Sequence, residues 1–147
     1  MTRKVYQQAE DKAREREIAQ RVADAWHCEA VEFPALSPID WYMKRENKLV
    51  GLIEIKTHRN RIAEYRTVLL DVLKTMHLMY AALAFNVKAV FVVQFTDGLY
   101  YVDVARLCGL PTAVRGRTDR GDRFDVHPCI EIPRDRFTEI ATTGETL

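Results

Sequence analysis

The reading turns on Ser37-Pro38-Ile39-Asp40-Trp41-Tyr42-Met43-Lys44-Arg45-Glu46-Asn47-Lys48-Leu49-Val50-Gly51-Leu52-Ile53-Glu54-Ile55-Lys56. Two strand-like runs, Ile39 to Lys44 and Leu49 to Lys56, flank the polar segment Arg45-Glu46-Asn47-Lys48, which is short enough for a hairpin turn. Side chains alternate along a strand, so Glu54 and Lys56 share one face while Ile53 and Ile55 point into a core. Pairing across a turn near Asn47 brings Asp40 close to Glu54, because both positions are equidistant from that turn. Two carboxylates and an ammonium then converge beside apolar neighbours. Clustered carboxylates repel unless a cation neutralises them, and oxygen ligands suit a hard ion such as Mg²⁺. Such an ion can activate water and offset the charge that builds on a phosphodiester, with the lysine orienting the water or the phosphate. Taken alone, a Glu-Ile-Lys run is also a common exposed strand face with a weak cross-strand ion pair; Pro38-Ile39-Asp40 at hairpin distance is what sets this one apart.

Upstream, Val5 to His27 reads as a helix, with Ile18, Val22, Ala25 and Trp26 at helical spacing and arginines and glutamates on the outer positions. Glu10/Arg14 and Lys12/Arg16 add support four residues apart. Phe33-Pro34-Ala35-Leu36-Ser37-Pro38 breaks the helix. Downstream, Arg61 to Phe85 reads as the longest helix, with Val68, Leu69, Val72, Leu73, Met76, Met79 and Leu83 covering a broad face and Asn86 as its stop. Lys88 to Phe95 is nearly continuous apolar and β-branched sequence, as in a strand buried on both faces. Thr96-Asp97-Gly98 is a turn signal before a further strand, Leu99 to Val104. Arg106 to Pro128 is loop-rich, Cys129 to Ile132 is a last short strand, and a turn follows around Phe137. The expected architecture is an α/β sandwich of helices around a small mixed sheet, in one domain spanning 1–147.

The chain has 147 residues, 48% of them hydrophobic and 29% charged, which suits one globular domain with its own core. A formal net charge of +1 offers no overall attraction to nucleic acid, so any such binding must rest on local clusters. Cys28, Cys108 and Cys129 are odd in number and lack short pairings, which argues against a disulfide framework and for a reducing compartment, the cytoplasm. The polar N-terminus has no signal-peptide pattern, and no window is apolar enough to span a membrane. His27-Cys28 is half of a zinc pair without a matching second half, and zinc is rejected.

Pro38-Ile39-Asp40, followed after thirteen residues by Glu54-Ile55-Lys56, resembles the signature of the PD-(D/E)XK nuclease superfamily, above all its small phage-encoded members. The resemblance runs along most of the chain. It implies a restriction-endonuclease-like fold, a central mixed sheet flanked by helices, and Mg²⁺- or Mn²⁺-dependent cleavage of DNA. On that resemblance Asp40 and Glu54 ligate the metal, the carbonyl of Ile55 is a further ligand, and Lys56 is the catalytic lysine. A glutamate of the first helix often joins such sites; Glu17, next to the apolar Ile18, is the choice here, with Glu15 and Glu10 as rivals. The Gln-x-x-x-Tyr pair of some exonuclease branches is missing, since Met76 precedes Tyr80 at that spacing, and an endonuclease is preferred.

Positive charge gathers from Lys44 to Arg66, including Lys56, Arg59 and Arg61, against Glu46, Glu54 and Glu64. A second cluster, Arg115, Arg117, Arg120 and Arg123, is tempered by Asp119 and Asp122. Either could hold a phosphate backbone or be a solvated loop. Lys74 could reach phosphate from the rim, although a solvated lysine is the plainer account. His58 has an accessory role or none, and Trp41 is read as core. Two rivals stand beside the DNA nuclease: a non-catalytic DNA-binding module on the same fold, and a structure-selective RNA nuclease. A homodimer fits a small site that cuts one strand at a time.

Overall fold

The computed structural model describes residues 2–116 and 126–141 of the chain. It opens with helix α1 (Thr2–Ala25) and strands β1 (Glu29–Glu32), β2 (Trp41–Arg45) and β3 (Lys48–Thr57). After a 3-10 turn at Ile62–Glu64 come β4 (Thr67–Asp71), helix α2 (Val72–Phe85), β5 (Lys88–Phe95) and β6 (Gly98–Asp103). Strands β7 (Thr112–Gly116), β8 (Val126–Pro133) and β9 (Thr138–Glu139) complete the order. Among the described residues the main sheet has the order β1-β2-β3-β5-β6-β9, and β4-β8-β7 form a second, antiparallel sheet. Only β3 and β5 run parallel in the main sheet, which is therefore mixed, and the crossover between them carries β4 and α2.

Helix α1 covers one face of the main sheet. Ile18, Ala19, Val22, Ala25 and Trp26 pack there on Trp41, Met43, Ile53, Ile55, Val90 and Val92. The helix ends in a Schellman closure: His27 turns left-handed (φ 53°) and Cys28 N–H donates to the carbonyl of Ala23. Arg45 then donates to the carbonyls of Trp26 and His27, tying the helix end to β2. The opposite face, with Leu52, Ala89, Phe91, Val93 and Phe95, packs against α2 and the second sheet.

The hairpin forms where expected, on a two-residue Glu46-Asn47 turn with both residues at positive φ (49° and 61°). From this turn the pairing runs Arg45↔Lys48 and Lys44↔Leu49, then shifts to Met43↔Gly51, Tyr42↔Leu52 and Trp41↔Ile53. Val50 is the extra residue of a bulge. Without it Asp40 would stand opposite Ile53; with it the next step of the register sets Asp40 against Glu54.

Three expectations need correction. The segment Arg61 to Phe85 is not one helix: Thr67–Asp71 is strand, and the helix begins only at Val72. Val68 and Leu70 are buried in alternation, and the Asp71 carboxylate accepts the Leu73 N–H at 2.7 Å as the N-cap of α2. The sheet is also larger than the small one expected, because β1 and β9 extend it at the edges. Finally, Thr112–Gly116, read as loop, pairs with β8. Asn86 does close α2, at φ 53°. Among the described residues no helix is long and apolar enough to cross a membrane.

Candidate active site

Glu54 sits in the middle of β3 with Ile53 and Ile55 on either side, on the face shared with Leu52 and Lys56. Its parallel neighbour is Phe91, wholly buried, and its own side chain is only 3% exposed. One carboxylate oxygen, Oε1, accepts from the Nζ of Lys74, which descends from the first turn of α2. The other, Oε2, is buried and has no hydrogen-bond partner. Asp40, half-buried just before β2, places its Oδ2 at 3.9 Å from the same Lys74 nitrogen. Asp40 and Glu54 therefore meet as the hairpin register requires, and one ammonium touches both.

The electrostatics follow from that geometry. Burial pushes the Glu54 carboxyl up to about 8; Lys74 opposes the shift, and the neighbouring Asp40 reinforces it. Burial works against the Lys74 ammonium, but attraction to Glu54, the hydrogen bond to it and the charges of Asp40 and Glu15 prevail, and its pKa is raised. An unpartnered oxygen in the core costs desolvation energy unless a donor or a cation meets it.

The two helix glutamates part ways here. Glu17 is exposed on the outer side of α1. Glu15, three and four residues before the buried Ile18 and Ala19, is half-buried and accepts the indole N–H of Trp41 at 2.6 Å. Burial raises the Glu15 carboxyl, the Trp41 hydrogen bond opposes this, and the charge of Asp40 adds to the rise. The structure thus brings Glu15, rather than Glu17, towards Asp40. Trp41 is core, 5% exposed, and its polar edge serves this contact.

Lys56 is exposed, two residues beyond Glu54 on the same face. It lines a cleft of about 540 Å³ together with His58, Asn60, Tyr65, Arg115 and Glu131. Burial, then the Lys56 charge, lower the His58 pKa. Arg59 and Arg61 are exposed on the segment that follows β3. Arg115 is paired with Glu131 at 3.2 Å. Arg117 and Arg120 lie outside the described residues. Lys74, read as a solvated or phosphate-facing lysine, is instead the cation of the carboxylate pair.

Do these residues suit a divalent ion? Among the described residues no three His, Cys, Asp or Glu side chains cluster as a ready cage. Two carboxylates meeting at a buried, unpartnered oxygen are nevertheless the donor set of an ion that takes one or two carboxylates and completes its shell with water and phosphate. The Ile55 carbonyl lies on the backbone between Glu54 and Lys56. The residues fit.

The profile of the family described as "Phage putative PDDEXK endonuclease" matches residues 1–140. The chain belongs to this family. Among solved structures it is similar to Hjc, a Holliday junction resolvase from Archaeoglobus fulgidus, at a TM-score of 0.56 and 16% identity, covering 86% of this chain and 96% of that one. That likeness establishes the fold as restriction-endonuclease-like, a central mixed sheet flanked by helices. No curated protein matches the chain.

Proposed function

We propose that this chain is a divalent-metal-dependent endonuclease that hydrolyses DNA, acting as one domain over 1–147. The observation that carries this reading is the buried Glu54 Oε2, left without a partner beside Asp40. Asp40, Glu54 and the Ile55 carbonyl would hold Mg²⁺ or Mn²⁺, which when bound supplies an activated water and offsets charge on the scissile phosphate. Lys74, within reach of both Asp40 and Glu54, offsets part of their negative charge before the ion arrives. Lys56, at the cleft mouth, orients the water or the phosphate. Arg59 and Arg61, exposed after β3, bind backbone phosphates, together with Arg115 in the wall of the Lys56 cleft; Arg117 and Arg120 are further candidates for the same contact from the sequence alone. Branched DNA is the first substrate to offer, because the fold neighbour is a junction resolvase, and phage DNA processing or repair is the fitting context.

The test is incubation of purified protein with branched, single-stranded and duplex DNA, and with RNA, in Mg²⁺, Mn²⁺ or EDTA. Metal-dependent DNA cutting is expected. Asp40→Asn and Lys56→Ala should each lower it by on the order of 10³-fold with folding intact. Retained cleavage in either variant sinks the residue assignment. A second reading, a DNA-binding module without catalysis, has the Lys74 ammonium already on both carboxylates in its favour; DNA bound but uncut under every condition would select it.

A further inference from the structure

Where β3 ends, the main sheet meets the second one in the cleft of about 540 Å³ that holds Lys56. The carboxylate pair leaves most of its lining unused. Aromatic and charged groups share the wall: Lys56, His58, Tyr65, Phe95, Arg115 and Glu131. Tyr65 is 60% exposed. A lone exposed ring is ordinary on a protein surface; this one differs because the segment that carries it is pinned. His58 N–H donates to the Gln94 carbonyl at 2.9 Å, Thr96 N–H to the Asn60 carbonyl at 3.1 Å, and Ile62 N–H to the Asp97 carboxylate at 3.1 Å. The Arg134 guanidinium donates to the carbonyls of Ala63 and Tyr65, and Arg134 N–H to that of Arg66 at 3.0 Å. Residues 58–66 are thus tied to β5 and the turn that follows it at one end, and to the turn after β8 at the other. The facing wall is fixed as well. Arg115 pairs with Glu131 at 3.2 Å while its side chain stays 58% exposed, and the His58 ring rests on Phe95 with centroids 5.5 Å apart.

We propose that this cleft takes one unstacked nucleobase of the strand being cut, laid on the Tyr65 ring, with Lys56 and Arg115 on the phosphates beside it. This deepens the reading of the chain as a DNA nuclease, on which it rests, by naming the kind of DNA it takes. Volume agrees: the cleft falls within the ~300–1,000 Å³ of small-ligand sites, which is room for one nucleotide. So does chemistry. An aromatic face beside fixed cations is how single strands are held, since a ring takes a base of any sequence and Lys or Arg takes the backbone. Position agrees too, because Lys56 stands about 7 Å along β3 from Glu54, so a nucleotide in the cleft adjoins a phosphate at the carboxylate pair. A base inside a duplex must be unpaired and unstacked before it can enter, whereas one at a branch point or in a single strand is already free. The cleft therefore favours DNA with unpaired nucleotides over continuous duplex, and Tyr65 sets that preference separately from the metal ligands.

The test reads binding rather than cutting. Fluorescence anisotropy in EDTA compares the full chain on a labelled thymidine decamer and on an abasic decamer with the same phosphates. Tyr65→Ala and Tyr65→Phe are run beside it, with circular dichroism as the check on folding. The wild type should bind the thymidine strand about tenfold tighter than the abasic one, Tyr65→Ala should bind both alike, and Tyr65→Phe should keep the preference. Equal affinity of the wild type for the two strands overturns the proposal, as does a preference that survives in Tyr65→Ala, or no binding to either strand. Cleavage of branched DNA by the same wild-type preparation, in Mg²⁺ or Mn²⁺, tells this failure from that of the nuclease reading. Protein that cuts but shows no base preference loses the base cleft alone. Protein that shows the preference but cuts nothing keeps the cleft and loses the nuclease.

Discussion

The two faces of β3 are equally dry and do opposite things. Under α1, Ile53 is 0% exposed among Trp41, Met43, Val90 and Val92, and its burial is favourable. One residue on and one face over, Glu54 is 3% exposed, and its burial is unfavourable, visible as a carboxyl pushed up to about 8. The α1 face fastens a long helix to the sheet. The α2 face keeps a poorly solvated carboxylate that must be neutralised from outside the strand, by Lys74 and, on the proposed reading, by a divalent ion. Alternation along one strand thus sets Glu54 on the face that also buries Leu52 in the α2-side core, while Ile53 and Ile55 fasten α1.

The sharpest way to break this comparison is one substitution on each face. Ile53→Ala opens a cavity beneath α1 and should lower stability by about 2–5 kcal/mol in thermal or denaturant unfolding. Where the variant is still folded, its cleavage should remain within a few-fold of wild type. Glu54→Gln keeps the volume and fixes the neutral form that burial favours, so stability should hold near neutral pH and rise above pH 8, while cleavage falls by on the order of 10³-fold. If Glu54→Gln instead unfolds the protein, the carboxylate is structural and the division between the faces is wrong.

How much of this division could be read from the sequence depends on the range of the forces involved. The hairpin and β5 were legible, because alternation at Ile53-Glu54-Ile55-Lys56 and the unbroken Ala89–Val93 run are local signals. The Asp40–Glu54 meeting was legible too, although by a compensation: the turn centres between Glu46 and Asn47, and the bulge at Val50 restores the register. The start of α2 was not legible from apolar spacing, because Val68, Leu69 and Val72 fit a helical period by coincidence. The capping role of Asp71 was the available clue. Strands β1, β7 and β9 are short, and their pairing depends on distant partners. Lys74 was misread for the same reason: only the crossover through β4 swings α2 over β3 and lays its ammonium on a carboxylate twenty residues earlier.

A milder test uses pH. The folded protein holds a proton on Glu54 up to about 8, whereas an unfolded glutamate releases it near 4.5. The folded state therefore binds more protons between those values, and stability from this group is full below 4.5 and is lost as pH rises towards 8. Glu54→Gln should flatten that slope in unfolding measured across the window. Binding of Mn²⁺ requires the carboxylate form, so calorimetry in two buffers of different ionisation enthalpy should detect proton release at pH 7 in the wild type and markedly less in Glu54→Gln. Equal proton release in both would place the titrating group elsewhere.

The smallest expected effect lies where the separation of faces is incomplete. Helix α1 belongs to the packing face, yet Glu15 on it accepts the Trp41 indole N–H; the charge of Asp40 adds to the rise of its carboxyl, and its own charge helps raise Lys74. The Trp41 indole holds Glu15 in place, so on the proposed reading the packing face lends one carboxylate to the chemistry of the other. Partners of metal ligands typically contribute 10- to 100-fold to affinity or activity, and Glu15→Gln should sit at about tenfold in both Mn²⁺ affinity and cleavage. Glu17→Gln, on the exposed side of the same helix, should change neither. A pure packing role for Glu15 would lower the melting temperature and leave metal affinity alone, whereas equal losses in the two variants would mean that α1 acts through its overall charge and that the route through Trp41 carries nothing.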